Sequence, residues 1–333
     1  MRSRVFPGAI AAMACVACLS PVTLTGQSSA STVKRTSVKK TWTVPRTSEG
    51  QPDFQGVWAI ATITPLERPA EFAGKEFLTE QEAAAYEKRI MAERNTDKRG
   101  ATPEADLRGN YNEAWRDRGN SVVASRRTSL IVDPPDGKIP PLTPAARKKR
   151  TRQGQPAGPE DLALRIRCIS RGLPMVPTPN NNFFEIVQGA GYLTILQEMM
   201  YEARMIPLDP RPHLASGIRG YMGDSRGHWE GDSLVIDTTN FIGVDDFYGA
   251  DENMHLTERL TRTDADTILY QFTVNDPTAF TKPWSGEIPM RKSDEGIFDY
   301  ECHEGNYSIV DILSGARAAE AKAAQGATNS EIK

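Results

Sequence analysis

From Phe183 onward the chain runs in short stretches of alternating apolar and polar residues, interrupted at close intervals by Gly, Asp and Ser. That rhythm limits the fold more than any other feature, because only extended strands place successive side chains on opposite faces. Residues 183–187 and 192–199 flank Gly189-Ala190-Gly191, a hairpin signal, and residues 203–208 read as a third strand. Trp229-Glu230 and residues 233–238 flank Gly231-Asp232, a second tight turn. Residues 256–263 and 267–275 flank Asp264-Ala265-Asp266, with Ile268, Tyr270, Phe272 and Val274 on one face. Residues 284–292 and 297–303 form the last expected pair, around Ser293-Asp294-Glu295-Gly296.

Roughly seven or eight strands joined by short turns predict a mainly β fold, an antiparallel meander curled into a barrel-like sheet, since an open sheet would leave long edges bare. After the strands Asn306 caps a terminal helix, whose Ile309, Ile312, Leu313 and Ala316 recur at helical spacing and are expected to lie on the sheet. Before the strands, Gly56-Val57-Trp58 precedes a strand expected over 59–64, and Thr79 with Glu82 has capping-box spacing for a helix with Ala83, Tyr86, Ile90 and Met91 on its apolar stripe. Residues 107–179 are rich in Pro, Gly and Arg and read as an irregular wrap. The basic run Arg147–Arg152 within it reads as a solvated linker.

The organisation expected is a signal peptide over 1–30, a flexible leader over 31–50, a strand, helix and irregular wrapping segment over 51–179, a meander with its terminal helix over 180–318, and a frayed tail over 319–333. Arg2 and Arg4 before an apolar run, followed by small residues near 26–30, carry the secretion signal, with lipid attachment at Cys18 as the alternative. A periplasmic or secreted location follows. No later run reaches the ~20 apolar residues of a membrane span. The net charge of -3 gives no global reason to bind nucleic acid. Cleavage leaves Cys168 and Cys302, and an exported chain with two cysteines most simply pairs them.

Several segments carry a family likeness: Gly56-Val57-Trp58 with Thr64-Pro65-Leu66-Glu67-Arg68-Pro69, Pro179-Asn180-Asn181-Asn182, the stretch from Gly223 to Asp232, and Cys302-His303-Glu304-Gly305-Asn306-Tyr307. In these the chain resembles an uncharacterised family of exported bacterial β-rich proteins of unassigned activity. The resemblance implies compartment and architecture and supplies no catalytic role. The Gly-x-Trp at Gly56-Val57-Trp58 is also similar to the first strand of lipocalin-like barrels, which implies a small-molecule carrier.

Chemistry is expected where histidines meet carboxylates, because such a histidine titrates near neutrality and exchanges protons. His228 and Glu230 share a strand face, His303 and Glu304 stand at the end of the last expected strand, and His213 sits in the Pro-braced loop Asp209-Pro210-Arg211-Pro212-His213. The expectation makes His303 the proton-transfer group, Asp224 or Glu230 its orienting carboxylate, and Arg226 or Arg204 the stabiliser of developing negative charge. His228, Trp229, Glu304, Tyr307, Arg204 and His213 are expected to line the substrate. The plainer alternative is that His303 and Glu304 bond backbone at a corner, Asp224 and Asp232 shape turns, and Arg226 pairs a carboxylate. His228-x-Glu230 with His213 or His303 offers zinc three ligands, but a strand His-x-Glu lacks discriminating geometry, so no metal and no other cofactor is expected. Gly-x-Ser-x-Gly, Walker and Gly-x-Gly-x-x-Gly signatures are absent from the sequence. These readings point to an exported lyase, isomerase or hydrolase acting by acid–base chemistry on a small, partly apolar or aromatic molecule held in a barrel-like pocket. A carrier or sensor with the same pocket, and an envelope interaction protein, are the alternatives.

Overall fold

The computed structural model describes residues 42–331, apart from 96, 98–100, 103–112, 114–115, 154–155 and 244–246. The expected signal peptide lies outside the described residues, as does the leader up to residue 41.

The strands are β1 Gly56–Ala59, β2 Ile131–Asp133, β3 Phe183–Gly189, β4 Tyr192–Gln197, β5 Glu202–Pro207, β6 Asp224–Glu230, β7 Ser233–Thr239, β8 His255–Asp264, β9 Thr267–Asn275 and β10 Trp284–Ser293. Nine of them make one antiparallel path, β5-β4-β3-β1-β10-β9-β8-β7-β6, and β2 pairs with β10 beside it. The end strands β5 and β6 lie against each other without a ladder, so the sheet curls into a nearly closed barrel. Gly227 permits that approach: a Cβ there would stand 2.7 Å from Leu208 Cδ2 and 3.0 Å from Ile206 Cγ2. Alternation places Leu234, Ile236, Leu256, Leu260, Tyr270, Phe272, Ile288 and Met290 inside, where Trp58, Phe184 and Trp284 fill the remaining space with completely buried rings.

A buried polar network crosses this interior. Arg204 on β5 donates to Ser225 Oγ at 2.9 Å, Thr238 Oγ1 at 2.9 Å and Glu258 Oε1 at 3.1 Å, and pairs again with Glu258 Oε2. Tyr270 donates to Glu258 Oε1 at 2.8 Å and accepts from Met175 N–H. Because these partners sit on β6, β7, β8 and β9, the network ties β5 across the seam that no ladder closes.

Helix α1, Glu80–Glu93, begins at the expected capping box: Thr79 Oγ1 accepts from Glu82 N–H at 3.2 Å, and Glu82 Oε2 accepts from Thr79 N–H at 2.8 Å. Its Ala83, Tyr86 and Ile90 pack on Ile63 and Leu78 in a satellite core. Four expectations need correction. The first strand is Gly56–Ala59 and does not extend over 59–64, because β3 and β10 pair β1 only from Gly56 to Ala59. The basic run is part of helix α2, Pro144–Gln153, which opens with Thr143 Oγ1 accepting from Ala146 N–H and Pro144 in its first turn. Residues 297–303 form no strand: β9 occupies one edge of β10, and β1 and β2 occupy the other. Finally, the terminal helix α3, Ser308–Glu331, buries none of its side chains through residue 325, and Val310 is 66% exposed. It is held instead by Arg317, which donates to the carbonyls of Pro156 and Ala157, and by the Cys168–Cys302 disulfide just before it.

That disulfide is the expected pair, with Cα atoms 5.6 Å apart. Both of its cysteines are half-buried.

Candidate functional site

The tight turn Gly231-Asp232 sets the β6–β7 register, pairing Glu230 with Ser233 and Arg226 with Asp237. With Ser225, Gly227 and Ile236 turned inward, Asp224, Arg226 and Asp237 stand together on the outer face. In β8, Thr257 pairs with Asp237, which sets His255 diagonally beside it. The loop after β5 then folds back over this patch. Gly223, at φ +67°, returns the chain to β6 where a Cβ would stand 2.5 Å from Thr239 O. Asn240 donates to Leu214 O at 3.0 Å, and Arg226 donates to Pro212 O at 3.1 Å, fixing the loop on both sides of His213.

Four titratable groups consequently form one hydrogen-bonded series. His213 Nδ1 lies 2.9 Å from Asp224 Oδ2, His213 Nε2 lies 2.8 Å from Asp237 Oδ1, and His255 Nε2 bonds Asp237 Oδ2. A ring facing carboxylates at both nitrogens makes both bonds only when each nitrogen carries hydrogen. Burial works against the charged form of Asp224, yet hydrogen bonds from Leu214 N–H, His213 and Arg226 outweigh it and hold the carboxyl below its ordinary range. The series opens outward at His255, whose side chain is 44% exposed and whose Nδ1 has no hydrogen-bond partner among the described residues. Apolar groups stand alongside: Leu214 follows His213, Ile218 and Tyr221 lie exposed in the same loop, and Ile242 N–H bonds Gly220 O. Tyr221 and Ile242 also line, with Leu164, Leu173, Phe241 and Met254, a hollow of about 30 Å³ that none of the four titratable groups borders.

The structure brings together Asp224, Arg226 and His213 from the expected set and separates the others. Glu230 shares the outer face of β6 but lies six residues on, about 20 Å along the strand. It pairs there with Arg259 and His228, which hold its carboxyl below the usual range. Trp229 turns inward and stacks on Phe54 at 5.5 Å. Arg204 is 4% exposed and committed to the interior network, so its guanidinium does not face a substrate. His303, Glu304 and Tyr307 are exposed beside the disulfide, and the His303 ring bonds neither Asp224 nor Glu230. The absence of a strand over 297–303 removes the geometry that was to deliver it.

Asp237 and His255 were not anticipated. The hairpin register was enough to find Asp237, since a tight turn at Gly231-Asp232 sets it opposite Arg226. His255 depends on β7–β8 pairing across residues 240–254, a connection too long for a tight-turn signal to set its register. Among the described residues no group of three or more His, Cys, Asp or Glu side chains is arranged to hold a metal ion, and no helix is long and apolar enough to cross a membrane. No family model, curated protein or solved structure matches the chain.

Proposed function

We propose that the chain is an exported acid–base enzyme, a lyase, isomerase or hydrolase, acting at the Asp224–His213–Asp237–His255 series on a small, partly apolar or aromatic molecule. The observation that carries this reading is Asp237, one carboxylate hydrogen-bonded through separate oxygens to two imidazoles. His255 Nδ1 takes the substrate proton. Asp237, by holding Nε2–H, directs the Nδ1 lone pair outward and stabilises the imidazolium that forms. His213 bonds the far oxygen of Asp237 and is itself braced by Asp224, which Arg226 holds at 2.6 Å. His213, Asp224 and Arg226 are thus positioning residues in this scheme. The chemistry requires no organic cofactor. Leu214, Ile218, Tyr221 and Ile242 supply an apolar surface for the rest of the substrate.

The packed interior favours this reading over carriage within the barrel, because completely buried rings occupy the place a lipocalin-like ligand would take. The disulfide fits an oxidising compartment. The test is incubation of the purified protein with a metabolite extract, followed by mass spectrometry. Wild-type protein is expected to convert at least one metabolite, with His255→Ala and Asp237→Asn losing about 10²-fold or more in rate while remaining folded. No conversion, or wild-type turnover by folded His255→Ala, overturns the proposal.

A further inference from the structure

A second concave site lies on the outer face of β8, β9 and β10, at the end of β8 away from His255. Eight residues, about 26 Å of strand, separate His255 from Thr263 at its edge. The site exists because β10 has a bare stretch. β2 pairs with it at Ser285 and Gly286, and β1 only from Arg291 onward. Glu287 N–H points away from β9 and bonds Leu130 O at 2.9 Å, so two residues later Pro289 turns its missing donor into the same gap and costs no ladder bond. Residues 123–127 pass over the gap, leaving a cleft of about 320 Å³, a volume on the scale of small-molecule sites.

The lining is ordered by charge. Glu287, Pro289 and Arg291 follow one another on one face of β10, with Leu269 paired to Pro289 and Thr267 paired to Arg291. Acid and base therefore stand at opposite ends of an apolar floor that Val123 completes from the other wall. Among the described residues the Arg291 guanidinium bonds only the Thr267 hydroxyl, at 2.9 Å, and the Glu287 carboxylate has no hydrogen bond or ion pair. Arg127 adds a second guanidinium. It pairs with Glu76, yet its side chain is 11% exposed and its Nε is buried with no acceptor. Asp264 also borders the cleft, on the β8 side, and one of its oxygens accepts from Asp266 N–H.

Two strand-mounted charges of opposite sign, without charged partners among the described residues and separated by apolar surface, match a ligand with the reverse arrangement. We infer that this cleft binds a small amphoteric molecule of short-peptide type, its carboxylate at Arg291 and Arg127, its amine at Glu287, and its apolar middle on Leu269 and Pro289. The site is independent of the His–Asp series.

Calorimetric titration of the purified full chain with alanyl-leucine, leucyl-alanine and alanyl-phenylalanine tests it, alongside their N-acetylated and C-amidated forms. At least one free dipeptide is expected to bind saturably at about 1 mM or tighter. Amidation and Arg291→Gln should each weaken binding about tenfold or more, as should N-acetylation and Glu287→Gln. Asp237→Asn should leave binding unchanged. Both cleft positions are at least partly exposed, so the variants are expected to fold, with circular dichroism as the check. The inference is overturned if no dipeptide binds in that range, or if folded Arg291→Gln or Glu287→Gln binds as wild type does.

Discussion

Two polar networks stand back to back on the same strands. Inside the barrel, Arg204, Glu258 and Tyr270 are almost wholly removed from water and use their hydrogen-bonding groups on one another. Outside, on the reverse faces of β6, β7 and β8 and the loop over them, Asp224, His213, Asp237 and His255 form a series of similar length that ends in a half-exposed imidazole. The residue types are comparable; the difference is access. A network with no route to solvent holds strands together, whereas one that ends at the surface can pass a proton to something outside. Alternation along a strand is enough to produce both, since Thr238 serves the inner network and Asp237 the outer one.

The comparison is broken most severely at Glu258. Glu258→Ala leaves the Arg204 guanidinium buried without its counter-charge and is expected to cost about 3–5 kcal/mol in urea unfolding. Replacing both partners, as Arg204→Met with Glu258→Leu, should recover much of that loss, because the desolvation of two ions disappears with them. If Glu258→Ala unfolds at the wild-type midpoint, the interior pair does not tie the seam.

Titration sharpens the contrast next, since the two networks should fail at opposite ends of the pH scale. Burial, with Glu258 beside it, holds the Tyr270 hydroxyl well above its ordinary range. The unfolded chain therefore ionises this tyrosine first, and the stability it contributes is lost as pH rises past about 10. Asp224 has the reverse sign. Its folded-state value is lowered, so its contribution is complete above about pH 4 and disappears as pH falls through that lowered value. Urea midpoints should accordingly show Tyr270→Phe flattening the alkaline limb alone and Asp224→Asn flattening the acid limb alone. Interchange of those limbs would contradict the assignments.

What was readable in the sequence divides along similar lines. Strands closed by Gly or Asp turns were legible, because turn chemistry and alternation are local. Residues 297–303 read as a strand for the same reason: Ser293-Asp294-Glu295-Gly296 resembles a hairpin turn, but the edge it would need is taken by β1, more than two hundred residues earlier. The basic run at 147–152 reads as linker because its charge conceals the Thr143-Pro144 helix start. A charged Glu258 between Leu256 and Leu260 on the inner face of β8 is a signal that a buried partner has to exist, and Arg204 meets that requirement. That histidines would meet carboxylates on the strands is legible, and the structure has such a cluster. Its location is not, because Asp237 and His255 come together only through pairing across residues 240–254.

The smallest expected effect separates the outer series from the other exposed histidines. His303→Ala and Glu230→Gln should leave both the urea midpoint and any turnover found for the wild type unchanged within error. Glu230 has its carboxyl held low by Arg259 and then His228, but all three are open to water, where such pairs contribute little to folding and are screened by salt. His303 has an exposed ring next to the disulfide and hydrogen-bonds no carboxylate among the described residues. A histidine near a carboxylate is thus insufficient for the chemistry assigned to His255. The ring must be fixed on one nitrogen and open on the other, and the anion that fixes it must itself be held in place. If His303→Ala abolished turnover while His255→Ala preserved it, accessibility and orientation together would not be what distinguishes the reactive histidine in this chain.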